Sequence, residues 1–570
     1  MNKLPKYLQK YIVRQNYNQY TYLDHACWRF IMRINKEYFS KNAHSKYLEG
    51  ISDTGITIDR IPKISDISKK LKEFGWSAVG VRGFLPPLIF MDFQSKGILP
   101  IACDMRSIQH LTYTPAPDIV HEASGHAPMI VDSDYADYLK YYGQIASKAI
   151  SSLEDYNLYV SIRKLSDIKE NPISTNKDIK IAQYNLKNAI DSVSYISEAA
   201  YLSRINWWTV EYGLVGNINK PKIYGAGLLS SIEESKNCLK DSVKKIPLSI
   251  DCINYSYDIT EQQPQLFVAD DFKSLNEILD DFSSKMAYKI GGLEGVKKAI
   301  KSKTVCTLSI NSGIQISGKI NDIINNQLSY VQLAGPVQIC YDNKEIEGQG
   351  VYRHPEGFGF PLGELENNIQ LDTLNKDQLL ELGYNINSFI DLKYKSGICI
   401  KGILKSVLEK DSYIKIITFS NCMVKYHDRV IFNPDWGEYD LICGQSIDSV
   451  FGGPADIDLY FNSELNKNKI DSLNKNISVS SIDEKLNEIY YSIRSFRDRK
   501  SDDFSKLNEI SNILSDKYPD DWLSKLEIYE IIYDVNLPWK RKIKEYLESK
   551  TKSKDQIAKA IKSSINLLEK

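Results

Sequence analysis

Pro117-Asp118-Ile119-Val120-His121-Glu122-Ala123-Ser124-Gly125-His126-Ala127-Pro128 carries two of the chain's seven histidines, five positions apart, with a carboxylate beside the first. No other stretch is so dense in metal-ligating side chains. Zinc peptidases use His-Glu-x-x-His, whose spacing of four puts both imidazoles on one helix face. Here the spacing is one longer. On a regular helix, at about 100° per residue, five positions set two side chains roughly 140° apart. Both reach one ion only if the backbone deforms or the helix ends between them. Gly125 permits such a deformation, and Pro128 disfavours a regular continuation past His126. Two neutral imidazoles plus one carboxylate, with coordination positions left open, is the facial arrangement of non-haem Fe(II) oxygenases. Alone, the pair also fits helix-capping or core histidines.

The candidate third ligand is Glu211, in Ile205-Asn206-Trp207-Trp208-Thr209-Val210-Glu211-Tyr212-Gly213. This stretch is apolar and aromatic and reads as buried. A carboxylate there costs several kcal/mol unless it is paired or bound to a metal. On local grounds a salt bridge to an arginine and a metal bond satisfy it equally well.

Three motifs then stand in register: Pro117-Asp118-x-x-His121-Glu122-x-x-Gly125-His126-x-Pro128, Trp207-x-Thr209-Val210-Glu211-Tyr212-Gly213-Leu214, and Tyr224-Gly225-Ala226-Gly227-Leu228-Leu229-Ser230-Ser231. Through them, about residues 15 to 290 resemble the tetrahydropterin-dependent aromatic amino acid hydroxylases, the phenylalanine hydroxylase family. Carried over position by position, the resemblance implies that His121, His126 and Glu211 bind iron. It implies that Arg106 holds the substrate carboxylate, a role that suits a guanidinium able to donate two parallel hydrogen bonds. Thr114, Ser230 and Gly227 are then expected to line the amino acid site, with Trp207 and Pro117 beside the aromatic ring. Phe90 is expected to stack on the pterin, Leu85 to touch it through the backbone, and Glu122 to face it as an acid. Asn206 stands where the family commonly has a tyrosine, which bears on substrate preference more than on chemistry.

The implied activity is hydroxylation of an aromatic amino acid using Fe(II), a tetrahydropterin and O2, with phenylalanine to tyrosine first and tryptophan second. Two readings from other classes compete. A zinc-dependent hydrolase on the same residues is opposed by the five-residue spacing and by Arg106. A catalytically idle scaffold is opposed by the intact set of His121, His126, Glu211 and Arg106.

The whole-chain properties agree with an enzyme acting on a small molecule. The chain has 570 residues, enough for two to four domains. Its 72 basic and 73 acidic side chains nearly cancel, so neither nucleic acid nor a membrane surface is suggested as a partner. The nine cysteines are scattered with no Cys-x-x-Cys pair, which reads as reduced thiols in a cytoplasm. No apolar run approaches the roughly 18 residues of a membrane span, and the polar N-terminus lacks a signal peptide's apolar core. The similarity begins almost at Met1, so no preceding regulatory domain is expected.

The expected architecture is multidomain. Residues 1–295 read as a mainly α catalytic domain of the aromatic amino acid hydroxylase type, with amphipathic helices over Tyr22–Phe39, Asp134–Tyr159 and Asn176–Tyr212. From about Thr304 the pattern turns to alternation, and Ser312-Gly313-Ile314-Gln315-Ile316 recurs as Ser396-Gly397-Ile398-Cys399-Ile400. Each copy predicts a hairpin with its turn at Ser-Gly, giving a β-rich repeat region of small barrels over 304–460. Lone His354 and His427 read as structural. A Ser/Asn/Lys-rich linker, Asn466 to Asn476, leads to an α-helical C-terminal region over 477–570. Its helices, Ile482–Phe496, Phe504–Leu514, Trp522–Tyr533 and Lys540–Leu568, carry charged faces of the kind that are usually only solvated.

Overall fold

Thr21 starts the long helix Tyr22–Asn42: its hydroxyl accepts the Asp24 amide while the Asp24 carboxylate accepts the Thr21 amide, a reciprocal cap. The buried side chains Trp28, Phe30, Ile31, Ile34 and Phe39 follow helical spacing. A computed structural model describes residues 4–112, 116–170, 174–257, 262–324, 328–462 and 483–569. The N-terminal half is mainly helical, with a parallel strand pair, Ser77–Val81 with Ile98–Ala102, and a small mixed four-stranded sheet that includes Leu214–Val215 and Gln265–Ala269. The Asp134–Tyr159 helix is broken into Ser133–Ala146 and Leu153–Glu170. Ser152 caps the second piece, exchanging hydrogen bonds with Asp155 at 2.6 and 2.9 Å. Asn176–Tyr212 is likewise three elements: Asn176–Asp191, Glu198–Asn206 and Trp207–Glu211.

The repeated hairpin is present twice. Val305–Ile310, Ile314–Ile323 and Tyr330–Tyr341 form one antiparallel meander, and Phe389–Lys393, Ile398–Lys410 and Tyr413–Tyr426 form the other. Gly313 and Gly397 occupy the same turn position with φ of 89° and 87°, a left-handed conformation that favours glycine. The pairings among the described residues make open sheets of six and five strands, each over its own apolar core. The expected small barrels therefore reduce to a β-rich region of two related sheets. One edge of the first sheet is Ile447–Gly452. The helix Gly292–Ser302 packs against this strand: a Cβ on Gly295 would lie 3.1 Å from the Val450 side chain.

The C-terminal helices are Glu484–Arg499, Phe504–Lys517, Trp522–Ile531, Lys540–Lys550 and Gln556–Leu568. Lys540–Leu568 is thus interrupted, with Asp555 capping the last helix through the Ala558 amide. These helices share one continuous core with the N-terminal half; the Phe30 and Trp522 rings lie 5.1 Å apart. Their charged faces are not all solvated. Arg29 bonds Glu530 at 2.7 Å and Glu527 at 3.3 Å, Arg497 bonds Glu527 at 2.7 Å, and Arg33 also reaches Glu530. The proposed linker Asn466–Asn476 lies outside the described residues. Among the described residues, no helix is long and apolar enough to cross a membrane.

Candidate active site

The five-residue histidine spacing is resolved by the backbone. Val120–His126 is a π-helix, closed by the Ala127 amide reaching back to the Glu122 carbonyl. A turn that bonds i to i+5 brings residues five apart onto one side. Trp207–Glu211 is a second π-turn, with the Tyr212 amide 2.8 Å from the Trp207 carbonyl. Together they set His121 Nε2 3.2 Å from His126 Nε2, and each of these nitrogens 3.4 Å from a Glu211 carboxylate oxygen. The three donor groups lie within 4.8 Å of one another, the one such cluster among the described residues. The partners of Glu211 are these imidazoles and not an arginine. Gly125 serves differently from the expectation. Its φ is not in the left-handed region, but a Cβ there would lie 2.6 Å from the Ala226 carbonyl oxygen. Glycine is needed for that close approach.

Hydrogen bonding aims the first imidazole. The Ser230 hydroxyl donates to the Ala226 carbonyl at 2.8 Å, so it accepts from His121 Nδ1–H at 3.1 Å. The His121 lone pair is thereby left on Nε2, toward Glu211. Burial lowers His121 to about 4 despite the Glu211 charge, which keeps the ring neutral. Burial acts to lower His126 as well, but Glu211 outweighs it and the net direction is up. Burial acts to raise Glu211, yet His126, His121 and the Gly227 amide bring it down to about 2. Burial raises Glu122 to about 8; its Oε2 is 3.8 Å from His126 Nε2 and has no hydrogen-bond partner.

Arg106 is gripped from one side. Its Nε and Nη2 donate to the two Asp118 oxygens at 2.8 and 2.7 Å, and Nη1 donates to the Ser230 carbonyl at 3.2 Å. Asp118 also accepts the Arg106 and His121 amides, each at 3.0 Å. It therefore ties the arginine to the π-turn that carries His121. The sequence reading gave Asp118 no role. The available signal was its place three residues before His121, where a short carboxylate caps the first free amides of a helix.

A cavity of about 180 Å³ opens onto the three donors. Leu85, Phe90, Glu122 and Pro117 line it, as does Asn206, whose Oδ1 is buried without a hydrogen-bond partner. Trp207 is not in this lining. It is stacked between Tyr212 and Tyr257, each ring 4.4 Å away. Gly227 packs so closely that a Cβ would meet the Tyr212 ring at 2.9 Å and the Glu211 carbonyl oxygen at 3.0 Å. Arg106 and Ser230 stand behind His121. Thr114 lies outside the described residues.

The sequence pattern of the biopterin-dependent aromatic amino acid hydroxylases matches residues 9–157 and 173–302. The chain is 27% identical to phenylalanine-4-hydroxylase of Chromobacterium violaceum over 267 residues, 46% of this chain and 74% of that one. It is 29% identical to phenylalanine-4-hydroxylase of Dictyostelium discoideum over 272 residues, 46% of this chain and 51% of that one. The Chromobacterium violaceum phenylalanine hydroxylase structure with bound oxidized Fe(III) overlaps 49% of this chain and 91% of its own, at 25% identity and a TM-score of 0.38. Through its N-terminal half, the chain belongs to the biopterin-dependent aromatic amino acid hydroxylase family.

Proposed function

We propose that this chain hydroxylates phenylalanine to tyrosine, using Fe(II), a tetrahydropterin and O2. The observation that carries the reading is the convergence of His121, His126 and Glu211 on two π-turns beside a cavity. Two imidazoles and one carboxylate are the donor set of a facial Fe(II) site. The cavity suits a flat polar ring: its walls are largely apolar, and Glu122 Oε2 and Asn206 Oδ1 are unanswered polar atoms. When bound, the iron and the pterin supply oxygen activation and electrons. The chain's part is geometric and electrostatic.

His121 offers a neutral Nε2 because Ser230 holds its Nδ1 proton. Phe90 presents a ring face to the pterin, Leu85 its backbone, and the raised Glu122 a carboxyl group that retains its proton near neutrality. Asp118 and the Ser230 carbonyl take three of the five Arg106 N–H groups and leave two for a substrate carboxylate. Pro117 walls the substrate ring. Trp207 and Gly227 act through the Tyr212 stack and the Glu211 contact. Thr114 keeps the substrate role that the resemblance implies. We assign the catalytic unit to residues 1–295, the β-rich region to 304–460 and the helical region to 477–570, in a cytoplasmic enzyme without a nucleic-acid partner.

The test incubates purified protein with Fe(II), tetrahydrobiopterin, O2 and each aromatic amino acid in turn. Tyrosine formed from phenylalanine is the expected result; turnover of tryptophan alone corrects the substrate. If no amino acid is hydroxylated while Glu211→Ala binds iron as well as wild type, the reading fails.

A further inference from the structure

We propose that the β-rich region positions the pterin-side wall of the cavity, through Asp458 and Tyr7; this rests on the pterin reading above. The helix Pro87–Ser95 carries Phe90 and Met91, both of which line the cavity. Its buried Asp92 is held from two sides. Lys96 reaches Oδ1 at 2.7 Å, and the Tyr7 hydroxyl donates to Oδ2. Burial first, and Asp92 second, raise the Tyr7 hydroxyl far above its ordinary range, so it remains a donor.

Tyr7 sits on a four-residue helix, Lys6–Gln9, whose N-cap is Pro5 and has no side-chain cap. A helix this short does not hold its shape alone. The missing cap comes from 451 residues away in the chain. Asp458, on the helix Ile457–Asn462 at the end of the β-rich region, accepts the Tyr7 amide at 2.7 Å and the Lys6 amide at 3.3 Å. A carboxylate at a helix N-terminus satisfies free amides and complements the helix dipole.

Asp458 is itself well placed to act as a fixed point, because the β-rich region is seated on the helical half. The Gly452 amide bonds the Lys148 carbonyl at 3.2 Å, and the Thr304 hydroxyl bonds the Ser151 carbonyl at 2.7 Å. Lys148 Nζ lies 4.1 Å from the Phe451 ring centre. The chain of contacts therefore runs from the β sheets through Asp458, Tyr7 and Asp92 to the helix that carries Phe90. Asp458 and Tyr7 are positioning residues, and the β-rich region serves cofactor affinity.

The test uses full-length Asp458→Ala, Tyr7→Phe and the double variant, each loaded with Fe(II). Binding of 7,8-dihydrobiopterin is read by titration calorimetry, alongside iron content and separate KM values for tetrahydrobiopterin and phenylalanine. Each single variant is expected to weaken pterin binding on the order of fivefold, the scale of one lost cap. Iron content, kcat and phenylalanine KM should hold, and the double variant should be no worse than the singles, since both cut one chain of contacts. Asp458→Glu should restore affinity in part. Unchanged pterin affinity in both singles overturns the proposal, and so does an equal loss of iron, phenylalanine and pterin binding. If wild-type protein binds no pterin, the underlying hydroxylase reading has failed instead.

Discussion

Two buried clusters in this chain each set a carboxylate beside histidine and end in opposite states. Around Asp440, in the β-rich region, the carboxylate is fully answered. It accepts from Thr418 at 2.7 Å, Arg353 at 2.9 Å and Gln349 at 3.1 Å, with His354 at 3.4 Å. Burial works to raise Asp440, but these bonds hold it well below the usual carboxylate range. Around His121, His126 and Glu211 the donors face one another, and Glu122 Oε2 and Asn206 Oδ1 have no partner. An unanswered buried polar atom costs stability. The first cluster spends its polar groups on holding two sheets together; the second keeps them available for a ligand.

The largest effect that would break this contrast is loss of a donor. Glu211→Ala should cut iron affinity by more than about 100-fold, beyond what loss of a supporting hydrogen bond does. Its melting temperature should not fall, as read by iron content and a thermal melt. Asp440→Ala should do the reverse, losing about 1–3 kcal/mol because Thr418, Gln349 and His354 lose a buried acceptor, while Arg353 keeps Glu438. Denaturant titration reads that loss, and iron bound per folded molecule should be unchanged. Ser230→Ala frees the His121 ring and should cost about 10–100-fold in iron affinity at nearly full stability, measured by competition with a chelator.

Acid sharpens the comparison. The folded Asp440 carboxyl lies below its ordinary value of 3.8, so its stabilisation is complete above that value and is lost as pH falls through the folded one. Stability of the wild type should decline on acidification below about pH 4, and Asp440→Asn should flatten that decline. The smallest effect is at Asn206. Asn206→Leu should lose about 1 kcal/mol of kcat/KM, one neutral hydrogen bond, with iron binding unaffected.

The sequence exposed the donor residues because their chemistry is rare and local: two histidines in one short stretch and a carboxylate among tryptophans. It left the π-turns hidden. A helix that gains one residue per turn keeps its composition, and periodicity cannot mark the insertion. Asp118 was missed because its main partner, Arg106, is twelve positions away across a loop. The repeated hairpins were readable from alternation and Ser-Gly turns, whereas sheet closure depends on which late strand takes the edge, here Ile447–Gly452. The C-terminal charges looked solvated because Arg29 and Arg33 lie some 500 residues from Glu527 and Glu530, their partners.

The π-turn also has a genetic consequence. Removing the single codon for Ser124 would leave His121, Glu122, Ala123 and Gly125 followed directly by His126, the four-residue spacing that a regular helix places on one face. The Ser124 carbonyl now takes the Tyr47 hydroxyl at 2.9 Å, and the Ser124 hydroxyl bonds the Val120 carbonyl at 2.6 Å. Tyr47 would have to find another acceptor in a buried place. One inserted residue therefore separates this oxygenase spacing from a peptidase-like one, and its neighbours hold it in place.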